Sequence, residues 1–314
     1  MKRVFGGYAL FAVALAAIWA IEIFVIPNTD RYLTDMLLRV ACTVISVIGL
    51  ALVLGFTGQF SLGHAGFMAV GAYGSAILAM NYGVPFPVAV FLGGLMAALA
   101  GLAVGVPSLR LTGDYLAVVT LGFNQIIIVA VQNMPVLGGA QGLIGVPLET
   151  TFGWAFTWLL LGLAFLRNVL NSPQGRTFAA VRDNEIATRS LGIDTTRVKV
   201  TAFVIGAFWA GVSGALLAFK LSSIFPAQFE TKISIELLAM VVLGGTGSLS
   251  GPVLSASILT LLPEVLRGLA DYRMMFYALV LIVMMIVRPK GLLGSRELSD
   301  VIWAGFRRFV PAKA

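Results

Sequence analysis

The 314-residue chain is 59% apolar and only 11% charged, with a net charge of +7, whereas roughly 25% of residues are charged in an ordinary soluble domain. No soluble core hides so much apolar surface, but a bilayer does, because a spanning helix needs about 20 mostly apolar residues and satisfies its own backbone hydrogen bonds. The positive charge lies in loops and tails, which membrane topology explains better than nucleic acid, and a lone cysteine (Cys42) and a lone histidine (His64) exclude a disulfide framework, a His-based metal site and a His triad.

Met1-Lys2-Arg3 followed by an apolar run over 8–26 superficially resembles a secretory signal. The run is long enough to span, and Pro27-Asn28-Thr29-Asp30 after it is no small-residue cleavage site, so it reads as a retained first span. Further apolar runs occupy 37–54, which holds Cys42 as a buried small side chain, then 62–80, 87–106, 115–133, 153–170 and 200–221. Beyond residue 230 the runs shorten to Ile233–Leu243, Val253–Leu266 and Met274–Val287. The expectation is an all-α polytopic transmembrane helical bundle of about ten membrane elements, some short or broken. An eight-element arrangement stays open if the short runs are re-entrant.

Short cytoplasmic loops collect Lys and Arg. The segment Asn171–Lys199 carries Arg176, Arg182, Arg189, Arg197 and Lys199, and the 288–314 tail carries Arg288, Lys290, Arg296, Arg307, Arg308 and Lys313, while 134–151 carries none. Six elements before the charged loop and four after it, with both termini cytoplasmic, satisfy this distribution and place Arg110 inside.

Two glycine-rich breaks interrupt the apolar pattern, one over 55–64 and one over 244–251. Both contain Thr-Gly followed by Ser-Leu, which makes Thr57, Gln59, Ser61, His64, Thr246 and Ser248 candidates for a translocation pathway, since irregular backbone at membrane depth is tolerated only against protein or water. A plain loop between helices is the alternative. His64 suits a structural hydrogen bond better than a proton relay. Asn124 and Gln125 fall near the middle of the fifth span, where polar groups either glue helices together or line a pathway. Glu22, Glu236 and Glu264 lie near span ends and are assigned no chemistry.

The charged loop carries helix signals. Asp183 and Asn184 are capable N-caps, Glu185 belongs in a first turn, Gly192 is a C-terminal stop, and Asp194 or Thr195 caps the next span. A helix of one to two turns, about 10 Å long, is therefore expected between two spans. Its apolar side, with Ile186, Ala187 and Leu191, wants a partner, either lipid headgroups or, better suited to a short helix of mixed charge, a protein groove.

The run from Gln174 to Ile193 resembles the cytoplasmic signature of bacterial ABC-importer permeases for branched-chain amino acids. The resemblance extends to Gly55–Phe67, Leu109–Phe123, Gly244–Pro252 and Arg288–Leu292 and covers nearly the whole chain. The 109–123 block looks like the LivM-type branch rather than its LivH-type sister. One departure is that the general importer motif Glu-Ala-Ala, three residues, Gly becomes Ile186-Ala187-Thr188 before Gly192, with Glu185 displaced by one; another is that Asn124-Gln125 stand where relatives often have Gly-Glu.

The resemblance implies a single permease domain over 1–314, type II importer-like, of two pseudo-repeated halves, with 171–199 as the coupling loop that docks in a groove of the ATPase. Gly175, Arg176, Ala179, Glu185, Ala187 and Gly192 would carry that docking. It further implies a LivH-type sister permease, two ATP-binding subunits of the LivG/LivF type, a periplasmic substrate-binding protein and the inner membrane. No Gly-x-x-x-x-Gly-Lys-Ser/Thr phosphate loop occurs, so the chain is expected to be non-catalytic and to hold no cofactor, with ATP and Mg on the partner subunits. Urea or amide importers are close alternatives. A stand-alone secondary transporter would need ion-coupling carboxylates at span centres, and a membrane-embedded enzyme would need clustered acids or a nucleophile and base.

Overall fold

The computed structural model describes residues 2–109 and 114–265 and the isolated positions 278, 279, 282, 291, 292 and 294. The described chain is built of helices α1 (Lys2–Phe24), α2 (Arg31–Ala51), α3 (His64–Tyr82), α4 (Phe86–Ser108), α5 (Asp114–Asn133), α6 (Phe152–Asn171), α7 (Pro173–Asp183), α8 (Glu185–Ser190), α9 (Thr195–Leu221), α10 (Thr231–Gly244) and α11 (Ser250–Val265). Two short strands, β1 (Leu143–Ile144) and β2 (Ser223–Ile224), pair antiparallel.

Six segments are long and apolar enough to cross a bilayer: Phe11–Asn28, Arg31–Phe56, Phe86–Ser108, Tyr115–Asn133, Phe152–Asn171 and Thr195–Leu221. The chain is an all-α polytopic membrane protein. The expected run over 62–80 does form a helix, α3, but one less apolar than those six. Its residues lower the average: His64, Ser75, Asn81 and the glycines Gly66, Gly71 and Gly74, most of them buried inside the bundle, replace larger apolar side chains. The last runs form α10 and α11, about 21 and 24 Å long by the standard helical rise, short of the roughly 30 Å hydrocarbon core. The run Met274–Val287, the 288–314 tail and Arg110 fall outside the described residues apart from the isolated positions.

The centre of the bundle is α9, 27 residues long and packed against α2, α3 and α4. Its inner face is made of small residues, including Gly206, Ala207, Ala210, Gly211, Gly214 and Ala215, which allow backbones to approach closely where lipid supplies no hydrophobic drive for association. At Gly71 a Cβ atom would stand 2.2 Å from the Gly211 carbonyl oxygen, so only glycine fits that crossing. On α4, the opposite faces separate cleanly. Ala89, Gly93, Ala97, Gly101 and Val104 are buried, while Val88, Phe91, Leu95, Leu99, Leu102 and Val106 are exposed at helical spacing, a stripe that suits lipid.

Polar contacts mark the two ends of the bundle. At one end Lys220 of α9 pairs with Asp35 of α2 at 2.9 Å, and the Tyr32 hydroxyl donates to the Glu264 carboxylate of α11. Glu22 accepts from the Gly153 backbone N–H at 2.9 Å and so caps α6 from α1. Residues 143–150 wrap the same end, where the Thr150 hydroxyl donates to the Leu216 carbonyl, 2.8 Å. The other end carries α7, α8 and both glycine-rich breaks. Cys42 is free and buried, as expected.

Candidate functional site: the charged segment and the broken helices

The segment Asn171–Lys199 holds two helices rather than one. Ser172 caps α7, accepting from the Gln174 N–H at 3.2 Å, and Pro173 occupies the first turn, where a missing N–H costs nothing. Asn184 then ends α7 and caps α8, accepting from the Ala187 N–H at 3.0 Å. Gly192 has φ +82° with open space around its Cβ position, the left-handed residue that ends a helix cheaply only as glycine. Between the two candidate caps of the next span, Asp194 is the one used, accepting from Arg197 N–H at 3.1 Å.

The expected docking residues divide into two groups. Arg176, Ala187 and Gly192 are exposed and Ala179 is half-buried. Ile186 and Leu191 are 84% and 79% exposed, so α8 and its C-cap present two large apolar side chains that no other described residue covers. Gly175, by contrast, is buried where a Cβ would meet the Leu170 carbonyl at 2.0 Å. Glu185 faces inward: its Oε2 accepts from Lys199 Nζ at 2.6 Å and its Oε1 accepts from the Thr195 hydroxyl at 3.2 Å. It ties α8 to the start of α9.

The first break begins where α2 widens into a π-helical turn over Leu52–Phe56, a geometry that often marks functional positions. The Thr57 hydroxyl donates back to the Val53 carbonyl at 2.6 Å, and Gln59 Nε2 donates to Thr57 Oγ1 at 2.7 Å and to the Lys199 carbonyl at 3.2 Å. Arg182 Nη1 of α7 donates to the Gly55 carbonyl at 3.0 Å. The chain then runs through Ser61 to His64, whose Nε2–H donates to the Ser46 carbonyl at 3.0 Å, the structural bond expected of it.

The second break adjoins the first: a Cβ on Gly55 would lie 3.5 Å from the Gly247 nitrogen. Thr246 is exposed, and Ser248 is 1% exposed with no partner for its hydroxyl oxygen among the described residues. Leu292 donates its N–H to the Leu243 carbonyl at 2.7 Å, which brings the Gly291–Leu292 part of the resemblance onto this break.

Asn124 and Gln125 join a different cluster. Asn124 is fully buried and donates to Thr231 Oγ1 at 3.4 Å; Gln125 donates to the same oxygen at 2.8 Å. Thr231 begins α10, and the next turn's Ser234 hydroxyl oxygen accepts from the Ala65 N–H at the start of α3, 3.0 Å. The structure therefore brings Thr57, Gln59, Thr246 and Ser248 to the end near α7, and gathers Asn124 and Gln125 with the starts of α3 and α10. Ser61 and His64 connect the two. Sequence reasoning missed Thr120, Thr231 and Ser234; Thr120 Oγ1 accepts from the Leu62 N–H at 3.0 Å, and no local pattern distinguishes these hydroxyls from ordinary helix residues. A cavity of about 520 Å³ beside Pro85, Phe86, Glu149 and Trp154 lies at the far end and touches none of the expected residues.

The chain matches the family described as "Branched-chain amino acid transport system / permease component" over residues 32–288 and belongs to it. It is 36% identical to the high-affinity branched-chain amino acid transport system permease protein LivM of Escherichia coli (strain K12), over 90% of this chain and 74% of that protein. The probable branched-chain amino acid transport permease protein LivM of Methanocaldococcus jannaschii is 26% identical over 65% of this chain and 68% of its own length. The ribose import permease protein RbsC of Haemophilus influenzae is 25% identical over 90% of this chain and 94% of its own length. No solved structure matches.

Proposed function

We propose that this chain is the non-catalytic, membrane-spanning permease subunit of an ATP-driven ABC importer that moves leucine, isoleucine or valine inward. A sister permease completes the pathway, two ATP-binding subunits hold ATP and Mg, and a periplasmic binding protein delivers the amino acid at the inner membrane. The 36% identity to a branched-chain amino acid permease over 90% of the chain supports this substrate class over the sugar of the 25% relative.

The observation that carries the reading is α8. A capped helix off the end of the bundle exposes Ile186 and Leu191 almost completely, an arrangement made for a protein groove. In this reading both termini and α7–α8 are cytoplasmic, about ten elements form two pseudo-repeated halves, and the adjoining breaks mark where the halves meet. Alternating access needs the two states to differ by only a few kcal/mol.

Reconstitution tests it. The assembled complex in vesicles takes up branched-chain amino acid when ATP, Mg and the binding protein are supplied, and this chain alone moves none down a gradient. Uptake by the chain alone would instead make it a self-sufficient transporter.

A further inference from the structure

The two short helices meet the bundle through polar contacts that converge on one segment. From α7, Arg182 Nη1 donates to the Gly55 carbonyl at 3.0 Å. From α8, Glu185 accepts from Lys199 Nζ at 2.6 Å, and the Lys199 carbonyl in turn accepts from Gln59 Nε2 at 3.2 Å. Gly55 lies within the π-helical turn over Leu52–Phe56 that follows α2, and Gln59 lies just beyond its end. Between them Gly58, at φ +69°, lies against the Arg182 stem, its Cβ position 3.3 Å from Arg182 Cγ.

The Lys199–Glu185 pair is shielded, with side-chain exposures of 9% and 28%, whereas Arg197–Asp194 one turn away stands at 88% and 53%. A shielded pair transmits force with little screening by water or salt. Gln59 Oε1 is buried with no donor among the described residues, leaving an acceptor that a second arrangement of the break would satisfy.

We propose that Lys199, Gln59 and Arg182 are positioning residues that relay movement of α7–α8 to the break over Leu52–Gly63 and switch it between two arrangements; this rests on the ATP-driven reading above. The α8 arm runs Glu185, Lys199, Gln59, and the α7 arm runs through Arg182 alone.

The test uses the whole complex in vesicles, with amino-acid uptake and ATP hydrolysis recorded side by side. Lys199→Met and Gln59→Met are expected to raise the ATP hydrolysed per molecule taken up by at least about fivefold, the lower end of ordinary coupling between sites, while the ATP-binding subunits still co-purify. The exchange of Glu185→Lys with Lys199→Glu returns the ratio towards wild type, and Arg197→Met, which breaks only the exposed pair, leaves it unchanged. Uptake and hydrolysis falling in proportion in both single variants overturn the relay, as does a ratio that stays raised in the exchange. If Lys199→Met fails to assemble, Gln59→Met decides by the same ratio, since it deletes hydrogen bonds and no charge. Absence of ATP-dependent uptake by the wild-type complex refutes the transport reading itself and is seen before any variant is measured.

Discussion

Truncating the two apolar side chains of α8 isolates docking from folding, because neither supports the bundle. Ile186 and Leu191 are 84% and 79% exposed. Full burial of such a side chain is worth about 1.5–3 kcal/mol, so truncation to alanine, which keeps one carbon of four, removes about 1–2 kcal/mol each, roughly 5- to 30-fold in dissociation constant. Because both enter one groove their losses need not add, so the double variant is expected to lose between about 1 and 4 kcal/mol. Ile186→Ala and Leu191→Ala are therefore expected to weaken association with the ATP-binding subunits by those factors, measured by titration of the detergent-solubilised permease pair. The thermal unfolding midpoint of the chain should not move. Unchanged association in the double variant, or a lowered midpoint, would refute the argument that these side chains await a protein groove.

Three further predictions concern fold and loop. Gly71→Ala drives a Cβ to 2.2 Å from the Gly211 carbonyl and should cost about 3 kcal/mol, the upper range for overpacking, whereas Gly122→Ala, with nothing within 4 Å, should be neutral or stabilise α5 by up to about 1 kcal/mol; thermal unfolding in detergent compares the two. Glu22→Ala removes the acceptor for the Gly153 N–H and should cost about 1 kcal/mol, visible as faster proteolysis between α1 and α6. Gly192→Val meets no neighbour but must hold φ +82°, a strain of about 1–2 kcal/mol; membrane insertion should be normal while ATP-dependent uptake falls, and equal uptake would show that the α8 stop tolerates any residue.

Much of the architecture was legible along the chain. Apolar runs of spanning length marked α1, α2, α4, α5, α6 and α9 because bilayer thickness dictates helix length. Asn184, Gly192 and Asp194 announced the ends of α8 and the start of α9, since capping is satisfied within a few residues. The same logic was available for α7 in Ser172-Pro173, an N-cap followed by a first-turn proline, and one helix was expected where there are two.

What remained illegible was every contact between distant parts of the chain. Glu185 reads locally as a first-turn acid free to meet a partner, yet it binds Lys199 because α8 folds back on the start of α9. Gly55 and Gly247 belong to breaks that share a pattern, and only packing puts them 3.5 Å apart on the Cβ measure. Thr231 looks like an ordinary first residue of α10 until Asn124 and Gln125 both donate to it. Apolarity, caps and charge are properties of neighbouring residues and so were determined by the sequence itself. Which helix faces touch depends on how small residues such as Gly71 and Gly211 let backbones close, and that was decided by the tertiary structure alone.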